Sequence, residues 1–184
     1  VKPRIGNLTC IMFAHSMGGA IGALYLEQHP GVFDAAILSS PMFGIKTDGT
    51  PKFLISLMLA KIKLLRQEKQ PFPGGNTWDG IPSYEQSSAM SEARYTYIFN
   101  QRLADSHYHT NMMSNGWGYA SFRTTPKILR DAGKIDIPVL LLTSGNDALV
   151  DSKGHYKFAY STPNTEFVIY EGAKHELYNG TDEI

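Results

Sequence analysis

Ser16 lies in the segment Ala14-His15-Ser16-Met17-Gly18-Gly19, directly after the apolar run Leu8-Thr9-Cys10-Ile11-Met12-Phe13. A serine on a sharp strand-to-helix turn needs small residues two positions before and two after it, so that strand and helix can approach closely. Ala14 and Gly18 meet that need, Ala14 standing where a glycine is usual. The N–H of Met17, at the helix start, is placed to stabilise a tetrahedral oxyanion. A hydroxyl is a weak nucleophile until a base takes its proton, and the base needs an acid to fix its tautomer. His175 and Asp147 are the candidates: each follows a strand, and the chain order is serine, aspartate, histidine. Taken singly, Ser16 is a small-residue turn, Asp147 a turn former after a strand and His175 a surface-loop histidine. Together, at the carboxyl ends of three strands, they read as a catalytic triad.

The competitors have plainer roles. Asp151 lies at the start of the next helix, where capping is natural. His15, beside Ser16, suits packing or a second hydrogen bond better than the role of base. Asp105, His107 and His109 lack the spacing of a known metal site and read as a solvated loop. No metal and no cofactor are expected.

These side chains need a parallel sheet to position them. Leu8 to Phe13 reads as a central strand covered on both faces, Gly18 to about His29 as a helix stopped by Pro30-Gly31, and Ala35 to Ser39 as a second strand. Strand, helix and strand make a right-handed crossover. From Pro41 to about Arg123 the texture changes to Met, Phe, Tyr, Pro and Gly without a strand, apart from an apolar helix over Phe53 to Leu65 carrying Lys61 and Lys63. Pro126 to Ala132 reads as a helix, Val139 to Thr143 as a strand, Lys153 to about Tyr160 as a helix and Thr165 to Tyr170 as the last strand. The expected fold is α/β, a mostly parallel sheet flanked by helices, with core at 1–40, a helical cap insertion at 41–123 and core again at 124–184.

Composition narrows the function. Of 184 residues, 42% are hydrophobic, enough for a sizeable core. Seventeen basic residues balance seventeen acidic ones, so nucleic acid is not an expected partner. The single Cys10 excludes an internal disulfide and points to a reducing compartment. No apolar stretch reaches the roughly 20 residues that cross a bilayer, and Val1-Lys2-Pro3-Arg4 does not open a signal peptide. The expected location is cytoplasmic, with peripheral contact at the inner face of a membrane through the cap. The first legible strand leads straight into Ser16 and no initiator Met is present, so the chain is expected to be a fragment.

Three motifs carry a family resemblance: Ala14-His15-Ser16-Met17-Gly18-Gly19-Ala20, Asn146-Asp147-Ala148-Leu149-Val150-Asp151-Ser152-Lys153-Gly154 and Tyr170-Glu171-Gly172-Ala173-Lys174-His175-Glu176. Through them the chain resembles the α/β-hydrolase branch of lysophospholipases of the L-two type and monoacylglycerol lipases. The resemblance implies Ser16 as nucleophile, Asp147 as acid, His175 as base and a single-chain lipid ester as substrate. It further implies preceding strands and a His-Gly loop supplying the second oxyanion donor, an N-terminal part needed to complete the fold. The apolar helix fits a lipid: Phe53, Leu54, Leu57, Met58, Leu59, Leu64 and Leu65 exceed what one helix face usually buries. Small-ester hydrolysis, a peptidase activity and a non-catalytic scaffold are the rival expectations.

Overall fold

A computed structural model describes residues 6, 8–47, 49–73, 78–109 and 112–182. Within them the chain divides into two compact units, one of residues 1–46, 88–90 and 125–184, the other of 47–87 and 91–124.

The first unit holds four parallel strands in the order β1 (Ile11–His15), β2 (Ala35–Ser39), β3 (Val139–Ser144) and β4 (Thr165–Tyr170). Parallel neighbours need a crossover between them, and helices supply two of these. Helix α1 (Ser16–Gln28) joins β1 to β2, and a helix over Lys153–Ser161 joins β3 to β4. The register sets Phe13 against Ile37, Ile37 against Leu140 and Leu141 against Phe167. Central strands covered on both faces are continuously apolar, as Val139 to Leu142 shows. Leu38, Leu141, Ile128, Phe43 and Phe158 are fully buried, each contributing about 1.5–3 kcal/mol by leaving water.

Small residues let α1 approach the sheet: it buries Gly19, Ala20, Gly22, Ala23 and Leu26. A Cβ on Gly19 would stand 2.6 Å from Pro41 Cβ, and one on Gly22 2.7 Å from Met12 Sδ.

β1 is one of the two outer strands of the described sheet, with Ile11 and Phe13 56% and 59% exposed rather than covered on both faces. Only β2 pairs with it among the described residues. The expected strand segment also begins and ends earlier than Ile11–His15.

The second unit holds α2 (Lys52–Leu64), α3 (Glu92–Ala104) and the first part of α4 (Asn115–Asp131). Its aromatic cluster stacks Tyr95 on Phe99 and His109 on Trp78, with the Arg102 guanidinium 4.3 Å over the Trp78 ring. The sequence marks a helix only from Pro126. Instead α4 starts at Asn115 and carries Pro126 inside it, Asn115 being held by its amide to Gln67 O and its N–H to Gln70 O. Helix α3 went unread, although Ser91 caps it by accepting the Arg94 N–H and Glu92 sits in its first turn. The remaining helix, α5, is the Lys153–Ser161 crossover.

Candidate active site

The site forms where β1, β3 and β4 end. Ser16 opens α1 immediately after β1 with φ +53°, in the left-handed region, which a non-glycine residue occupies only when it is constrained. That strain follows from the turn, since the backbone must reverse within one residue between strand and helix. Ser16 stays partly accessible, while Asp147 and His175 are only 5% and 4% exposed.

His175 Nδ1 lies 2.6 Å from Asp147 Oδ2, and His175 Nε2 lies 2.8 Å from Ser16 Oγ. An ionised carboxylate only accepts, so Nδ1 carries the proton and Nε2 is left to accept from the serine hydroxyl. The three residues expected from the sequence are therefore brought together in the order a general-base chain requires.

Asp147 is anchored from its other oxygen. Oδ1 accepts the N–H of Leu149 at 2.8 Å and of Val150 at 2.9 Å. Burial pushes this carboxyl upward, but the bonds from His175, Val150 and Leu149 outweigh it and hold it below the usual aspartate range. The Lys46 ammonium also donates to the Asp147 carbonyl.

His15 stands outside the hydrogen-bond chain from Ser16 to Asp147. Its Nδ1–H donates to Ser39 O at 3.0 Å, and its ring lies 4.8 Å from both the His175 and Tyr178 rings. Burial first, and then the neighbouring His175, keep its pKa below the ordinary histidine value. Asp151 accepts the Lys153 N–H at the start of α5, whereas Asp147 meets the imidazole. Asp105 takes both the N–H and the Nδ1–H of His107, and His109 Nε2–H donates to Arg102 O. Among the described residues no group of three or more His, Cys, Asp or Glu side chains could hold a metal ion. Met17 lies in the first turn of α1, where helix N–H groups face outward.

Sequence reading missed His155. It is fully buried in α5, with Nδ1 accepting from Thr143 Oγ1 at 2.8 Å and Nε2–H donating to Pro41 O at 2.7 Å. Burial holds its pKa below the ordinary value, the form both bonds require. An exposed-looking Ser-Lys-Gly-His stretch gives no sign of this role, because its partners lie on other elements.

A parallel sheet with crossover helices, carrying a strained serine at the end of one strand and an aspartate and a histidine beyond two others, is an α/β-hydrolase fold. The chain belongs to the Hydrolase_4 family (serine aminopeptidase, S33), which it matches over residues 1–182. It is 28% identical to lysophospholipase L2 of Escherichia coli K12 over 90% of the chain and 51% of that protein. Identity is also 28% to the monoglyceride lipase homolog of monkeypox virus, over 100% of the chain and 61% of that protein. The chain thus spans about half to three-fifths of these relatives. The crystal structure of Paleococcus ferrophilus monoacylglycerol lipase superposes with a TM-score of 0.68 at 21% identity, covering 98% of this chain and 65% of that one.

Proposed function

We propose that the protein is a serine hydrolase that cleaves the carboxylic ester of a single-chain lipid, a lysophospholipid or a monoacylglycerol, through an acyl-enzyme at Ser16. The observation that carries the reading is the unbroken hydrogen-bond chain Ser16 Oγ, His175 Nε2, His175 Nδ1, Asp147 Oδ2. Ser16 Oγ attacks the ester carbonyl while His175 Nε2 takes its proton, and Asp147 stabilises the imidazolium. The Met17 N–H receives the developing oxyanion, with a second donor expected from an N-terminal segment. His175 then protonates the departing alcohol, and a water activated by the same imidazole releases the fatty acid.

The lipid rests on the names of the relatives and on α2. Phe53, Leu54, Leu57, Leu64 and Leu65 are exposed, and only Leu59 and Ile62 of that helix are buried. Lys52, Lys61 and Lys63 share the helix with no acidic residue, a composition suited to an anionic lipid surface. We therefore assign the insertion expected at 41–123 the role of a cap that meets the acyl chain or the membrane. No described helix is long and apolar enough to cross a membrane.

A series of p-nitrophenyl esters of rising chain length, run beside an aminoacyl amide, tests the reading. Turnover that rises with acyl length is expected. Preference for the amide would favour the peptidase activity that the family description names.

A further inference from the structure

Two serines outside the triad converge on the peptide that carries His175. Ser40 and Ser144, 104 residues apart in sequence, are both completely buried, and their hydroxyl oxygens lie 2.9 Å apart. Ser144 Oγ is in turn 2.7 Å from Lys174 O. A carbonyl can only accept, so the Ser144 hydroxyl donates to Lys174 and must itself accept from Ser40. The direction of both protons is fixed.

We infer that Ser40 and Ser144 form a hydroxyl relay that positions His175 for the reaction, an inference that rests on the triad reading above. Lys174 O and the His175 nitrogen belong to one planar peptide unit, so holding that oxygen sets the plane from which the imidazole departs. The other end of Lys174 is held as well, by its N–H to Met90 Sδ.

The backbone at Ser40 argues that the hydroxyl is the reason for the residue. Its φ is +43°, a conformation that glycine adopts without strain and serine does not. Its N–H continues the β2 to β3 pairing by donating to Leu142 O at 2.8 Å, so the strained residue is locked where its side chain meets β3. The same short loop touches the rest of the site. Met42 N–H donates to Ser16 O at 2.8 Å, and Gly44 O accepts Asp151 N–H at 3.0 Å. One segment that contributes nothing to the chemistry is thereby tied to all three loops that do.

Ser40→Gly removes the hydroxyl and relieves the backbone, so it should fold at least as stably as the parent in urea. Ser144→Ala removes the middle donor. Both should lower kcat for a p-nitrophenyl ester, and the rate of Ser16 labelling by a fluorophosphonate, about 10- to 100-fold, with KM nearly unchanged. Because the two hydroxyls act in series, the double variant should be no slower than Ser144→Ala alone. Parent-like labelling by both folded single variants, or losses that multiply in the double variant, would overturn the relay and leave the triad standing. A parent protein that does not label at Ser16 would overturn both.

Discussion

The Asp147 carboxylate divides its work between its two oxygens, one taking the amides of Leu149 and Val150 and the other the imidazole. Asp147→Asn can keep Oδ1 on those amides, but its amide nitrogen would then face Nδ1 and force the proton onto Nε2. The base is lost while the shape is retained, and kcat should fall about 10⁴-fold. Ser16→Ala should reduce kcat by at least as much and abolish fluorophosphonate labelling. The depressed carboxyl also links to stability. Its contribution is full above the unfolded aspartate value of about 3.9 and is lost as pH falls through the lower folded value. Urea unfolding of parent and Asp147→Asn should therefore differ at pH 7 and converge in strong acid. Ser16, Asp147 and His175 could be singled out together because each lies within five residues of the end of a strand-like run. The Ser40 to Ser144 contact was not, since serines near strand ends are common and nothing local shows which two will meet.

At the level of elements, α1 depends on closeness at Gly19. A methyl group there collides with Pro41, whose carbonyl also takes the His155 ring, so Gly19→Ala should cost about 1–3 kcal/mol in chemical unfolding. Replacing Leu57 and Met58 of α2 by Ser should slow long-chain esters far more than acetyl esters; equal slowing would remove the acyl-contact role. The strands and the helices α1, α2 and α5 were readable from apolar runs and stops. Helix α3 escaped because it buries only Phe99 and so lacks a clear apolar stripe. The start of α4 escaped because Gly116 and Gly118 are poor helix formers and Pro126 reads as a first helical residue, whereas tertiary hydrogen bonds at Asn115 and packing of Gly118 near Phe72 hold the earlier turns helical.

For the molecule as a whole, Glu27 sets a pH dependence of opposite sign to that of Asp147. Burial, then the nearby Asp131 carboxylate, raise its pKa to about 7, and its Oε1 is buried without a hydrogen-bond partner. The folded state then holds a proton that the unfolded chain has released, so stability falls as pH rises from about 4.5 to about 7 and levels off above. Glu27→Gln should gain about 1 kcal/mol at pH 8, after allowance for the half-exposed side chain, and almost nothing at pH 4. Calorimetric melting at the two pH values checks this. The exposure of β1 is likewise a property of the whole: Ile11 and Phe13 look the same in the sequence whether or not a neighbour covers them.

The strand order places the serine and the histidine on opposite margins of the described sheet, three inter-strand steps apart, or about 14 Å. Yet their side chains touch at 2.8 Å, so the five residues after Tyr170 must travel back over the ends of the two middle strands. That return path has no slack to give: it turns at Gly172, with φ +75°, and is pinned by Asn146 N–H on Ala173 O. A single residue inserted between Gly172 and Ala173 would leave every strand paired and still carry the imidazole past Ser16, breaking the 2.8 Å contact by arc length alone.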